Sequence, residues 1–165
     1  MNFCNAKRDW GRTDWRWFLL FAALFSGCAP QPATNTRRTA QSDPTTESWY
    51  HDATAQLASL SREAEHLFRE GRSDEAAAMI TKAQPLINRV LGVPRPTLTA
   101  MEAASDLDDL YGRMLLANRN YGWARLLFQK NLARWKRWKP ETEETGRRRR
   151  LAESEIAECD RHLSE

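Results

Sequence analysis

Cations and indoles are interleaved in the run Arg134-Trp135-Lys136-Arg137-Trp138-Lys139. Such a composition suits an anionic lipid, a lipopolysaccharide or a nucleic acid, because cations contact phosphates while aromatic rings stack. The alternative is structural. Trp135 and Trp138 continue the apolar spacing of Phe128 and Leu132, so they would pack on the last helix while the charges face water. We favour this packing interpretation and expect no nucleic acid partner, because the formal net charge is only +3.

Four consecutive arginines, Arg147–Arg150, follow Gly146. They could form an anion or membrane patch. We favour a solvated helix start, balanced by four glutamates: Glu141, Glu143, Glu144 and Glu153. Cations near the start of a helix oppose its dipole, so we also expect this segment to fray.

A thiol and an imidazole, Cys159 and His162, stand three residues apart near Glu155 and Glu158. A metal site would need further good ligands. Cys159 also lies on an apolar stripe, which indicates a buried core thiol; an exposed one could instead form an intermolecular disulfide. We find no catalytic triad order, paired-carboxylate motif or glycine-rich phosphate loop. We therefore predict no enzyme, no cofactor and no metal.

Three side chains are candidates for contact with a protein partner: Tyr111, Trp123 and Arg125. If they line an exposed apolar or aromatic groove, a binding role is favoured. A convex, fully charged surface would instead favour a structural role without a groove.

Helices must position these side chains, because apolar residues recur at steps of three and four from about residue 50 onward. Asp43-Pro44 signals entry to the first helix, which Gly71 ends. Ser73 is the expected N-cap of a second helix that closes at Gly92. Pro85 lies inside it and should kink it or split it near Ala83.

Thr97 or Thr99 can cap a third helix, and a turn near residues 118–120 leads to a fourth, which Pro140 interrupts. A last helix carries four regularly spaced apolar residues: Ala152, Ile156, Cys159 and Leu163. No stretch alternates with the period of a strand. The sequence therefore predicts an all-α domain of about five helices.

An internal repeat relates the helix pairs at an offset of 48 residues. Ala64, Leu67, Ala76 and Ile80 correspond to Gly112, Leu115, Ala124 and Phe128. Repeats of this kind are stacked helix hairpins, because one hairpin cannot bury its own apolar face.

With the turn Gly71-Arg72-Ser73-Asp74-Glu75-Ala76, this pattern resembles the tetratricopeptide repeat family over about residues 56–140. The second repeat departs from it at Arg119 and Asn131, and the repeat is longer than the family's. The resemblance implies a short helical-hairpin array that binds peptides or partner helices. A generic helical bundle is the alternative.

The first 27 residues have the three-part organisation of an export signal. Positive charges precede an apolar stretch at 17–25, and the small residues Ser26 and Gly27 follow. The apolar stretch is about half of the ~20 residues that a spanning helix needs. We therefore predict a cleaved signal peptide at 1–27 rather than a permanent anchor helix.

The segment Phe25-Ser26-Gly27-Cys28 resembles the bacterial lipobox, although Phe25 replaces the usual Leu. The resemblance implies cleavage before Cys28 and its lipidation, with acyl chains such as palmitate holding the chain in the membrane. By resemblance to known sorting rules, Ala29 implies the outer membrane, with the domain facing the periplasm. An ordinary cleaved signal with an unmodified Cys28 is the alternative.

Residues 28–47 consist largely of Pro, Thr and other small or polar residues, with Gln and Asn among them, and are poor in large apolar side chains, which predicts a disordered, flexible tether. The helical domain then spans 48–165. Together these features predict a lipid-anchored protein of the cell envelope that acts as a protein–protein interaction adaptor and possesses an unidentified protein partner. A structural envelope lipoprotein, a secreted soluble helical module and a homo-oligomer are the alternatives.

Overall fold

A computed structural model describes residues 42–165, which are all-helical and contain no strand. Five helices follow one another: α1 Ser48–Arg69, α2 Ser73–Leu91, α3 Leu98–Ala117, α4 Tyr121–Arg137 and α5 Glu143–Leu163. The prediction of an all-α fold with about five helices is confirmed. A short 3-10 helix, Pro44–Thr46, precedes α1, and the side chain of Asp43 caps it by accepting from the amide of Thr45.

The turns after α1 and α3 share one backbone geometry. The amides of Gly71 and Arg72 donate back to carbonyls in the last turn of α1, and Gly71 has a φ of 77°. The amides of Arg119 and Asn120 make the same two bonds to α3, and Arg119 has a φ of 60°. This is the Schellman motif, which satisfies the last carbonyls of a helix through one left-handed residue.

One prediction about α2 is wrong, and one of two alternatives is excluded. Ser73 is its first helical residue rather than its N-cap, and the preceding Arg72 makes no capping bond. Of the kink or split predicted at Pro85, the split does not occur, because the helix continues unbroken from Ser73 to Leu91. Buried side chains on both sides of the proline, Ala83 and Ile87, hold α2 against the core, and this tertiary packing outweighs the single missing backbone hydrogen bond.

Most of the apolar core lies among α1, α2 and α3. The helix α3 occupies the central place, because it packs against α1, α2 and α4. The starts of α1 and α3 are joined by Tyr50, which is 1% exposed and whose hydroxyl accepts from the amide of Thr97 at 2.9 Å. Thr97 is also the N-cap of α3, as one of the two predicted alternatives had it.

A smaller apolar cluster joins α3, α4 and α5 around Phe128, Ala124 and Cys159, all fully buried. Gly112 of α3 makes room for the ring of Phe128: a Cβ there would lie 2.5 Å from a ring carbon. Leu163, which the sequence places on the apolar stripe of α5, is 54% exposed because it lies in the last turn, beyond this cluster.

Positions 48 residues apart have matching environments. Ala76 and Ala124 are both fully buried, and Ile80 and Phe128 are both core residues on the second helix of a hairpin. The internal repeat is therefore visible in burial and in turn geometry. Membership of the tetratricopeptide repeat family stays a prediction.

Candidate functional site

A groove runs along α3 between α2 and α4. In the middle of the groove α3 is the floor and α2 and α4 are the walls, because side chains of all three helices line the central cavity. Three cavities of about 700, 290 and 650 Å³ follow one another along it, and Lys130 lines all three. From Trp123 to Arg137, the α4 wall is about 20 Å long at the helical rise of ~1.5 Å per residue.

One end of the groove is apolar and exposed. Tyr111 of α3 and Trp123 and Leu126 of α4 line the 650 Å³ cavity there. They are 41%, 69% and 54% exposed, although large apolar side chains are usually covered in a folded chain. Three of the five exposed large apolar residues in the described range thus lie side by side, which is typical of a binding surface.

The other end of the groove is basic. Arg134 and Arg137 line the 700 Å³ cavity together with the half-buried ring of Trp138. The opposite side is the connector between α2 and α3, with Pro94 and Pro96. Neither the prolines nor Trp138 carries a charge, so the cations determine the electrostatic character of this end.

Arg125, the third predicted contact residue, does not line the groove. Its Nε donates to a carboxylate oxygen of Asp160 on α5 at 2.6 Å. Successive helical residues point about 100° apart, so Arg125 faces α5 while Trp123 and Leu126 face the groove. The structure therefore brings together Tyr111 and Trp123 but not Arg125.

A buried ion pair fixes the α4 wall on α3. Arg134 Nη2 donates to Asp108 Oδ2 at 2.9 Å, and each side chain is only 7% exposed. Asn131 accepts from Arg134 and donates to the backbone carbonyl of Ser105. Lys130 also contacts Asp108, at 2.9 Å from its other carboxylate oxygen. The expectation that the cations of this run face water is wrong for Arg134, because Asp108 pairs with it inside the protein.

Trp135 packs inside the protein, as predicted. It is 4% exposed, its Nε1 donates to Ser105 Oγ at 2.9 Å, and the guanidinium of Arg148 in α5 lies 5.5 Å from its ring centroid. Trp135 is therefore held between α3 and α5. Trp138 differs, because it lies beyond the end of α4 and lines the groove.

The arginine run at the start of α5 is largely paired. Arg147 and Arg148 both bind Glu144, and their hydrogen bonds lower the pKa of this carboxyl to about 2. Arg148 also reaches Asp106 of α3 at 2.5 Å. The expected fraying is wrong, because α5 begins with a capping box in which the Thr142 and Thr145 side chains each bind the other's backbone amide.

Cys159 is fully buried, as predicted. Burial raises the pKa of its thiol, which keeps it protonated and unreactive. His162 stacks on Tyr121 with 4.4 Å between ring centroids and lies 3.1 Å from a carboxylate oxygen of Glu158. Within residues 42–165, no three His, Cys, Asp or Glu side chains are grouped so that they could hold a metal ion.

Sequence reasoning missed a cluster of acids between α3 and α5. Glu155 lies near Asp109, and its buried Oε2 has no hydrogen-bond partner. Burial, and secondly the charge of Asp109, raise the pKa of Glu155 to about 8. Asp109 also accepts from Arg113, which binds Glu65 of α1. No spacing in the sequence marks this cluster, since its members come from three helices.

Sequence reasoning also missed Leu126, Lys130 and Arg137 as groove residues. A signal for them existed. Lys130 follows Leu126 by four residues, and Arg137 follows Lys130 by seven. All three lie off the apolar stripe of α4, so Leu126, although large and apolar, should be exposed.

Cys28, the signal peptide and most of the tether lie outside the described residues. In the part that is described, no helix is long and apolar enough to cross a membrane. Comparisons of the chain with family models, with curated proteins and with solved structures gave no match.

Proposed function

We propose that this chain is a lipid-anchored protein of the bacterial cell envelope whose helical domain binds a protein partner in the groove between α2 and α4. The observation that carries the binding role is the cluster of Tyr111, Trp123 and Leu126, exposed on one side of a 650 Å³ cavity. Covering such side chains removes apolar area from water and stabilises a complex. The anchor rests on the lipobox-like segment that ends at Cys28.

We infer binding rather than catalysis from the chemistry of the groove. Among residues 42–165, Asp108 is the one carboxylate that lines its three cavities, and Arg134 and Lys130 neutralise it. The Cys159 thiol is buried elsewhere, against α4. An acid–base or nucleophilic mechanism needs titratable groups that converge on a substrate, and these groups do not.

Photocross-linking in cells tests the binding role. A photoreactive phenylalanine analogue at position 123 should give one discrete adduct, and Tyr111→Ala should abolish it. The same analogue at the exposed position 62 of α1, which lines none of the three cavities, should give none. Equal adducts from both positions would contradict a dedicated groove, and an adduct of twice the chain mass would indicate a homo-oligomer instead.

Mass spectrometry of the membrane fraction tests the anchor. We expect a species that starts at residue 28 and carries acyl chains, and we expect Cys28→Ser to lose it. A soluble or unacylated species from the unchanged chain would leave a helical binding module without a lipid anchor.

A further inference from the structure

The charge on the groove is uneven. Three cations line its cavities, Lys130, Arg134 and Arg137, against the single carboxylate of Asp108. All three cations come from α4. The α2 wall contributes neutral side chains, namely Ala77, Thr81 and Gln84. The lining therefore has an excess of positive charge, located along one wall.

This positive charge is only partly neutralised inside the protein. Arg134 and Lys130 share one carboxylate, and Arg137 is exposed and makes no ion pair within residues 42–165. The side chain of Lys130 lines the groove and is 48% exposed. Both Lys130 and Arg137 can accept an additional anionic partner.

The apolar and basic features lie in a fixed order along α4. Trp123 and Leu126 come first, Lys130 follows in the middle, and Arg137 lies in the last turn. A ligand that fits this order presents apolar side chains at one end and carboxylates at the other. A segment of about 14 residues in helical form, at ~1.5 Å per residue, spans the distance.

We propose that the groove binds an acidic amphipathic segment of a protein, with its apolar side chains against Tyr111, Trp123 and Leu126 and its carboxylates against Lys130 and Arg137. This inference rests on the proposed binding function and adds the chemistry of the partner. Opposite charge across an interface steers association and excludes wrong partners. Apolar contact at the other end supplies affinity that salt screens little.

Peptide display on the full-length chain tests the proposal. Random 16-residue peptides are selected for binding, and we expect enrichment of Asp and Glu beside large apolar residues. Affinity for a selected acidic peptide should fall about tenfold in Arg137→Glu, and a peptide with Lys in place of its acids should recover part of this loss. Arg62→Glu, a charge reversal at another exposed arginine, on α1, should leave the affinity unchanged. Circular dichroism verifies that both variants are folded.

The outcomes separate this inference from the function on which it rests. Selected peptides that are neutral, yet lose binding in Trp123→Ala, would overturn the acidic partner and leave the groove intact. Peptides that bind Trp123→Ala as well as the unchanged chain would contradict the groove itself. Phosphatidylglycerol vesicles are the third probe: binding to them that depends on Arg137, with no charge preference among peptides, would assign the basic end to lipid and overturn the proposal.

Discussion

The α1–α2 hairpin and the α4–α5 hairpin are held in place by different interactions. Side chains of α1 and α2 pack with α3 into the large apolar core, in which Tyr50, Leu57 and Val90 are buried almost completely. The apolar cluster beneath α4 and α5 has only three fully buried members, Ala124, Phe128 and Cys159.

In the α4–α5 hairpin, directed polar contacts compensate for the small apolar cluster. The buried pair of Arg134 with Asp108, the bond from Trp135 to Ser105 and the bond from Arg148 to Asp106 all reach α3. Apolar packing is non-directional and tolerates substitutions of similar volume. Buried polar networks stabilise only when each member is satisfied. The two hairpins should therefore respond very differently to single substitutions.

The largest expected effect comes from removing one member of the buried ion pair. Asp108→Ala leaves Arg134 buried without a counter-charge, and we expect a loss of about 3–5 kcal/mol in the free energy of unfolding. Urea denaturation measures it. Glu75→Ala removes the partner of the exposed Arg72 and should leave the midpoint unchanged. Similar shifts in both variants would show that the Asp108 pair is not structurally special.

Gly112→Ala should have the next largest effect. The new methyl group would overlap the ring of Phe128, and we expect a destabilisation of about 1–3 kcal/mol. Gly146→Ala is the matched control, because its Cβ would meet its neighbours at an ordinary 3.5 Å. That substitution should stabilise α5, by up to about 1 kcal/mol from helix propensity. Thermal unfolding distinguishes opposite signs directly, and equal signs would contradict the close approach of α3 and α4.

Glu155 should make the stability of the α4–α5 hairpin sensitive to pH. Its pKa is raised from 4.5 to about 8 in the folded chain, so the folded state binds the proton more tightly than the unfolded state does. The stabilisation that proton binding to Glu155 gives the folded state is complete below pH 4.5 and is lost as the pH rises through about 8. Glu155→Gln should remove this dependence and stabilise the chain at pH 9 by about 1 kcal/mol.

Melting temperatures measured from pH 4.5 to 9 give the slope of stability against pH. Glu153→Gln changes an exposed carboxyl on the same helix and should leave the slope as it is. If Glu155→Gln melts in parallel with the unchanged chain at every pH, the buried carboxyl is not protonated.

The smallest effect concerns the two Schellman turns. Arg119, in the turn between α3 and α4, adopts a φ of 60° at the position that Gly71 occupies in the turn between α1 and α2. Arg119→Gly removes a strained left-handed side chain and should stabilise by about 0.5 kcal/mol. Gly71→Ala introduces the same strain and should destabilise by about 1 kcal/mol. Chemical denaturation of both variants tests whether the turns are equivalent, as their matching backbone bonds indicate.

Helix order and turn positions were predictable because they depend on local patterns. The steps of three and four, Gly71, and the cap at Thr97 each act within a few residues of the feature that they specify. Pro85 does not end the helix, because its local preference against a helix is overridden by packing on both sides.

The polar contacts were not predictable by such patterns. Asp108 and Arg134 are 26 residues apart, and no spacing rule indicates which acid meets which base. Arg134 is also followed by five cations and indoles, so the composition of this run suggested that its charges are exposed. In the groove, Tyr111 and Trp123 stood out by residue type. Excluding Arg125 required the orientation of α4, which turns this side chain toward Asp160 of α5.

The order of helices in space has a kinetic consequence. Helices that are consecutive in the chain pack on each other. Among the helix pairs in extensive contact, α1 and α3 are the farthest apart in sequence. Contacts between near neighbours close short loops and lose little chain entropy. Helical chains with such local topology fold within microseconds to milliseconds. The first hairpin can therefore form before the last helix has been positioned.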